Sequence, residues 1–182
     1  MISNPLNTRT NTLNGLIPHP PDGTVFWKWT SQGWYGYFFE DNEFGLGWSE
    51  DTTMLPGEGG LIVNPTAEPF VITIIGEVLQ GHLSAALPAG FWIRGAMVPQ
   101  EGGLTTLLGF GPEDGLANGD TVLRFINLRG DYVTYTYDTA GGWSRTDPSP
   151  TIPLQPRPEV GESVFFNLLA PRTWARYFSV WP

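Results

Sequence analysis

The chain has 182 residues and no cysteine, which excludes disulfides, thiolate catalysis and zinc–thiolate centres. Its net charge of −9, with no basic patch to offset it, excludes a nucleic-acid surface, because a polyanion would be repelled. Hydrophobic residues make up 41% and charged residues 15%, enough for a packed core, while 23 Gly and 17 Pro lie scattered between short apolar runs, as turns between strands require.

The opening Met1-Ile2-Ser3-Asn4-Pro5 carries neither a basic region nor an apolar core, so a leader is expected to be absent from this chain and already removed. Leu13 and Leu16-Ile17 predict a Leu-rich turn of about one helical turn. Residues 23–29 predict a strand whose alternation puts Val25, Trp27 and Trp29 on one face, read as core. A hairpin loop ending in Gly33 leads to a second strand through Asp41, and a variable loop then reaches Gly47-Trp48. After the Gly57-Glu58-Gly59 turn comes the strand Leu61-Ile62-Val63. The turn Asn64-Pro65-Thr66 pairs it with a further strand over 70–74. The greasiest stretch, 69–79, is broken by Gly76 and Glu77 and falls short of the roughly 20 residues of a membrane span.

The same landmarks then return in the same order. Residues 119–125 repeat the glycine, cation and aromatic spacing of 23–29. Residues 130–138 follow 33–41, which sets Trp34 against Asp131 and Tyr37 against Thr134. Gly142-Trp143-Ser144 answers Gly47-Trp48-Ser49, and Gly161-Glu162-Ser163 answers Gly57-Glu58-Gly59. Residues 174–178 answer 70–74, and Leu104 with Leu107-Leu108 echoes Leu13 with Leu16-Ile17. The expected fold is all-β: two tandem copies of a four- to five-stranded antiparallel unit, 1–76 and 77–182, with little helix. Leu79, Leu83, Leu87, Phe91 and Ile93 at the junction predict copies packed against each other. Residues 144–158, rich in proline, predict an extended loop. Trp48 and Trp143 are expected to plug the two cores.

The copies differ at their first strand. Copy two opens with Pro88-Ala89-Gly90-Phe91-Trp92-Ile93-Arg94, whereas copy one begins near Ile2 and lacks the Gly-Phe-Trp half. An edge left unfilled is a template for strand addition. This reading makes Ile2, Asn4, Leu6, Trp174, Phe178 and Trp181 the candidate assembly edge, with copies of the chain as partner and head-to-tail filament growth as the outcome.

With 87–91, 98–104, 119–122, 132–137, Gly142-Trp143 and 161–163 in copy two, and 4–6, 22–24, Gly47-Trp48 and 56–59 in copy one, the chain resembles uncharacterised bacterial secreted or surface proteins built of duplicated β modules. The resemblance implies an extracellular or cell-surface structural or accessory role. It carries no catalytic residues, and none are expected here: His19 and His82 are the only histidines, and no nucleophile elbow or phosphate loop occurs. No cofactor is expected. The acids Glu40, Asp41, Glu43, Glu50 and Asp51 fall around the Gly47-Trp48 loop, where solvated carboxylates are common. Glu58 and Glu162 are expected to accept backbone N–H bonds within their turns. Asp114, Asn118 and Asp120 gather oxygens in a glycine-containing loop and form a weak calcium candidate without EF-hand spacing. Trp34, Tyr37 and Trp92 form the candidate ligand platform of the alternative reading, a carbohydrate-binding module that stacks aromatic faces on polysaccharide.

Overall fold

The computed structural model describes residues 1–43 and 45–181. In chain order it contains β1 (Ile2–Ser3), the single helical turn α1 (Leu13–Leu16), β2 (Val25–Thr30), β3 (Gly33–Asn42), β4 (Gly45–Trp48), β5 (Gly59–Val63), β6 (Gly81–Leu87), β7 (Gly90–Gly95), β8 (Thr121–Ile126), β9 (Asp131–Asp138), β10 (Gly142–Arg145), β11 (Ser163–Leu168) and β12 (Arg172–Phe178). The first five-stranded sheet runs β1-β5-β2-β3-β4. The second runs β10-β9-β8-β11-β7, and β12 pairs with β6 as a separate ribbon. All pairings between these strands are antiparallel. β1, β5, β2, β3 and β4 thus correspond to β7, β11, β8, β9 and β10, and the all-β duplicated architecture expected from the sequence is the one observed. No helix among the described residues is long and apolar enough to cross a membrane.

Each unit has its own core. Phe26, Tyr37, Phe39, Trp48, Leu13, Leu16, Ile17 and Met54 fill the first. Val122, Tyr135, Tyr137, Phe166, Phe110, Leu104, Leu108 and Trp174 are central to the second. Trp48 plugs its unit as expected and donates its indole N–H to the Ile17 carbonyl at 2.9 Å, while Trp143 is half-buried against its core. The core face of β2 is carried by Phe26. Val25, Trp27 and Trp29 lie on the opposite face, half-buried, which corrects the face assigned from sequence.

That opposite face is apolar because the two units meet there. Trp29 and Trp34 stand edge-on to Phe165 at 6.1 and 5.7 Å, and Phe91 and Tyr132 approach the same ring at 6.4 and 6.0 Å. Small residues let the backbones close. A Cβ on Gly59 would lie 2.6 Å from the Ser163 Cβ, and Gly95 has no room for one beside Ser3. Across the seam Ser3 N–H donates to Gly161 O at 2.7 Å, and Gly95 N–H donates to Gly57 O at 2.9 Å. Since Ser3 pairs with Gly59 as Gly95 pairs with Ser163, these two bonds are equivalents exchanged about a local two-fold axis.

The Gly-Glu turns behave alike in both copies. Glu58 Oε2 accepts the Leu55 N–H at 3.0 Å and meets Lys28 Nζ at 3.2 Å. Glu162 Oε2 accepts the Glu159 N–H at 2.8 Å, and its carboxylate takes Arg124 through Nε and Nη2 at 2.8 and 2.9 Å. Both turn carboxylates thus accept a backbone N–H within their own turn, as expected from the sequence.

Candidate functional site

The copies part company at one place. In copy two, β12 is paired along its whole length with β6, from Arg172 opposite Leu87 to Phe178 opposite Gly81. Its counterpart in copy one lies within residues 68–75, since Phe70 stands as far after Gly59 as Trp174 stands after Ser163. Phe70, Ile72 and Ile74 are half-buried there, and Ile72 and Ile74 pack on the first core. Val71 and Ile75 point outward at 90% and 83% exposure, and Thr73 is exposed between them. This is the period-two burial of a strand. Yet no residue from 69 to 75 makes a hydrogen bond with any described residue. The paired strand expected over 70–74 is therefore an extended segment without a partner. It is held at its ends. Asn64 Nδ2 and Thr66 Oγ1 donate to Glu68 O at 2.7 and 2.9 Å, and Glu77 exchanges two backbone bonds with Asn7 at 2.8 and 2.9 Å.

A second open edge adjoins it. β1 covers β5 only at Gly59 and Gly60, so Leu61, Ile62 and Val63 pair with β2 on one side and, among the described residues, with no strand on the other. In copy two the same edge is covered by β7 up to Leu168 opposite Gly90. Beside Ile72 and Ile74 lies an apolar hollow of about 400 Å³, bordered also by Ile2, Pro5 and Leu6 and, from copy two, by Pro99 and Val160.

The candidate edge residues divide against this geometry. Leu6 borders the hollow. Ile2 and Asn4 are already used within the chain: Ile2 pairs with Gly60, and Asn4 is buried, donating to Met54 O at 2.8 Å and to Asn11 Oδ1 at 3.1 Å. Trp174 is not an edge residue at all. It is 1% exposed, with its indole N–H on Leu108 O at 2.8 Å. Phe178 ends β12 opposite Gly81, beneath the Arg176 guanidinium, and Trp181 stands 78% exposed beyond it. Residues 69–75 escaped the sequence reading as an edge because their alternation matches that of β12. Only the partner differs.

The aromatic platform does not assemble. Tyr37 is 7% exposed in the first core, on the opposite face of β3 from Trp34. Trp92 shares its face with the buried Phe166, donates to Ala89 O at 3.2 Å and carries Arg94 at 6.0 Å from its ring. Burial pushes the Arg94 guanidinium pKa down, and Glu58 opposes that shift. Trp34 is exposed, but it meets Trp29 and Phe165 at 83° and 88°, an edge-to-face cluster rather than a flat stacking surface. The pairing also corrects the alignment. The β2–β3 loop is residues 31–32, whereas the β8–β9 loop is 127–130. The longer loop sets Trp34 against Tyr132 and Tyr37 against Tyr135, aromatic against aromatic, instead of against Asp131 and Thr134.

No family model, curated protein or solved structure matches the chain significantly.

The calcium candidate also dissolves into structure. Asp120 is fully buried. It takes the Leu169 and Ala117 N–H groups at 2.9 and 3.0 Å and the Arg172 guanidinium at 3.2 Å. Asp114 accepts from Gly111 and Ala175 at 3.1 and 2.9 Å, and Asn118 from Thr139 at 2.6 Å. Among the described residues no three acidic or imidazole side chains converge as a metal site.

Proposed function

We propose that this chain is a non-catalytic structural or adhesive module of the extracellular or cell-surface kind, which works by contact through a sheet edge. The supporting observation is the pre-extended segment 69–75, whose twin in copy two is a fully paired strand. A row of free backbone donors and acceptors beside an apolar hollow favours an added strand, since main-chain bonds supply affinity and alternate pockets supply register. Head-to-tail completion of this edge by a neighbouring chain gives open assemblies. The polysaccharide reading keeps Trp34 alone of its three residues and is the weaker one.

Sedimentation velocity and negative-stain microscopy over a wide concentration range test the proposal. The wild type is expected to form linear oligomers. Thr73→Pro, which deletes a donor at an outward-facing position, is expected to stay monomeric. A wild type that remains monomeric at every concentration overturns self-assembly.

A further inference from the structure

The two open edges of copy one have one counterpart in copy two. Gly59 answers Ser163, so Leu61, Ile62 and Val63 answer Phe165, Phe166 and Asn167, which pair with Ile93, Trp92 and Phe91. Residues 70 and 72 answer Trp174 and Arg176, which pair with Ala85 and Leu83. β6 and β7 are joined only through Pro88 and Ala89. Beyond Leu61, whose counterpart faces Ile93, what copy one leaves open is therefore filled in copy two by a single continuous piece, residues 81–92.

From this we infer that copy one binds an extended polypeptide segment with the chemistry of residues 81–92, the opening strand pair of another repeat unit of this kind. The inference rests on the strand-completion reading and names its ligand. The segment enters antiparallel to 69–75, turns at a Pro-containing corner and continues along β5. Its inward side chains occupy the places of Leu83, Ala85 and Leu87, with the Leu83 position opposite Ile72 and the Ala85 position opposite Phe70. Its outward positions tolerate polar residues, as His82 and Ser84 do in β6. The Gly90 position carries a positive φ of 86°, so the corner requires glycine there. Pairing is directional: a strand that places its apolar residues in the other phase presents them to solvent.

The probe is a fluorescein-labelled synthetic peptide with the sequence of residues 81–92, titrated against the full chain by fluorescence anisotropy. Hydrogen exchange is read by mass spectrometry on the same mixture. Saturable binding is expected, with slowed exchange in both 61–63 and 70–75. A peptide covering only 81–87 is expected to protect 70–75 and leave 61–63 unchanged. Serine at the Leu83, Ala85 and Leu87 positions is expected to weaken binding at least tenfold. Thr73→Pro and, as a second variant, Val71→Pro are expected to abolish protection of 70–75 while near-ultraviolet circular dichroism stays native. Equal binding by the serine peptide, or protection confined to other residues, overturns the inference. A chain that self-assembles while the peptide neither binds nor competes also overturns this ligand but leaves the module reading standing. Peptide binding by a chain that stays monomeric does the reverse. A closed two-fold dimer through 69–75 of both partners, insensitive to peptide, overturns the inference in favour of edge-to-edge pairing.

Discussion

Gly59→Ala tests the seam between the units. The glycine lies in a strand and outside the left-handed φ region, so alanine brings no backbone strain and the effect isolates packing. Its new Cβ would lie 2.5 Å from Ile2 O, 2.6 Å from Ser163 Cβ and 2.8 Å from Ser163 Oγ. Comfortable carbon contacts fall near ~3.5–4 Å, so β1 or β11 must move by about 1 Å. Overpacking of this kind costs about 1–3 kcal/mol. The shift also breaks the Ser163 hydroxyl's bond to Ile2 O, 2.8 Å long and worth about 1 kcal/mol. A loss of about 2–4 kcal/mol in a chain of this size lowers Tm by roughly 5–15 °C, read by calorimetry with tryptophan fluorescence as a second probe. Ser163→Gly removes one of the two obstacles. The double variant is expected to recover part of the loss, with a coupling energy of about 1 kcal/mol. A Tm for Gly59→Ala within about 1 °C of wild type, or strict additivity in the double variant, would refute close packing of the two sheets through small residues.

Asp120→Ala is expected to cost about 3 kcal/mol in urea unfolding, because it strands the Arg172 guanidinium and two backbone N–H groups in a buried site, and Asp120→Asn is expected to cost less. Trp34→Ala is expected to lower stability by about 1–2 kcal/mol through its two edge-to-face contacts and to leave retention on insoluble polysaccharide unchanged. Loss of retention at unchanged stability would restore the sugar platform. Hydrogen bonding from Arg129 holds the Asp147 carboxyl below its ordinary 3.8. The folded state is therefore favoured at pH above 3.8 and loses that contribution as pH falls through the depressed value. A carboxyl carbon titration by NMR that finds Asp147 at or above 3.8 contradicts the ion pair.

The repeat was legible because it lives in turn residues. Gly57-Glu58 and Gly161-Glu162 each need a positive φ at glycine and a carboxylate that reaches back to a backbone N–H, and such demands leave a mark at fixed spacing. The face of β2 was not legible, since Val25, Trp27 and Trp29 are as apolar as a core stripe. They cover an interface between units, which sequence alternation cannot distinguish from a core. The partner of Trp34 in copy two is hidden in the sequence because the hairpin loops at Gly33 and Gly130 differ in length, and the ladder, not the loop, sets the register. Trp174 looked like a free terminus on its position near the chain end and proved to be a core residue, because its strand folds back onto Leu108 and Phe110. The open edge at 69–75 carries the composition of a paired strand and could be recognised only from the missing neighbour.

The chain order of β6 and β12 has a consequence for biosynthesis. β6 is made long before β12, and throughout that interval it lacks the strand it pairs with in the finished fold. Residues 69–75 lie just upstream, across the connector 76–80, with the same alternation as β12. A local hairpin between 69–75 and β6 closes far faster than the native long-range pair can form. The nascent chain thus has a non-native hairpin available to it, which must open before β12 can dock, and refolding of the full chain is expected to include a phase absent from a chain in which 69–75 is blocked by proline.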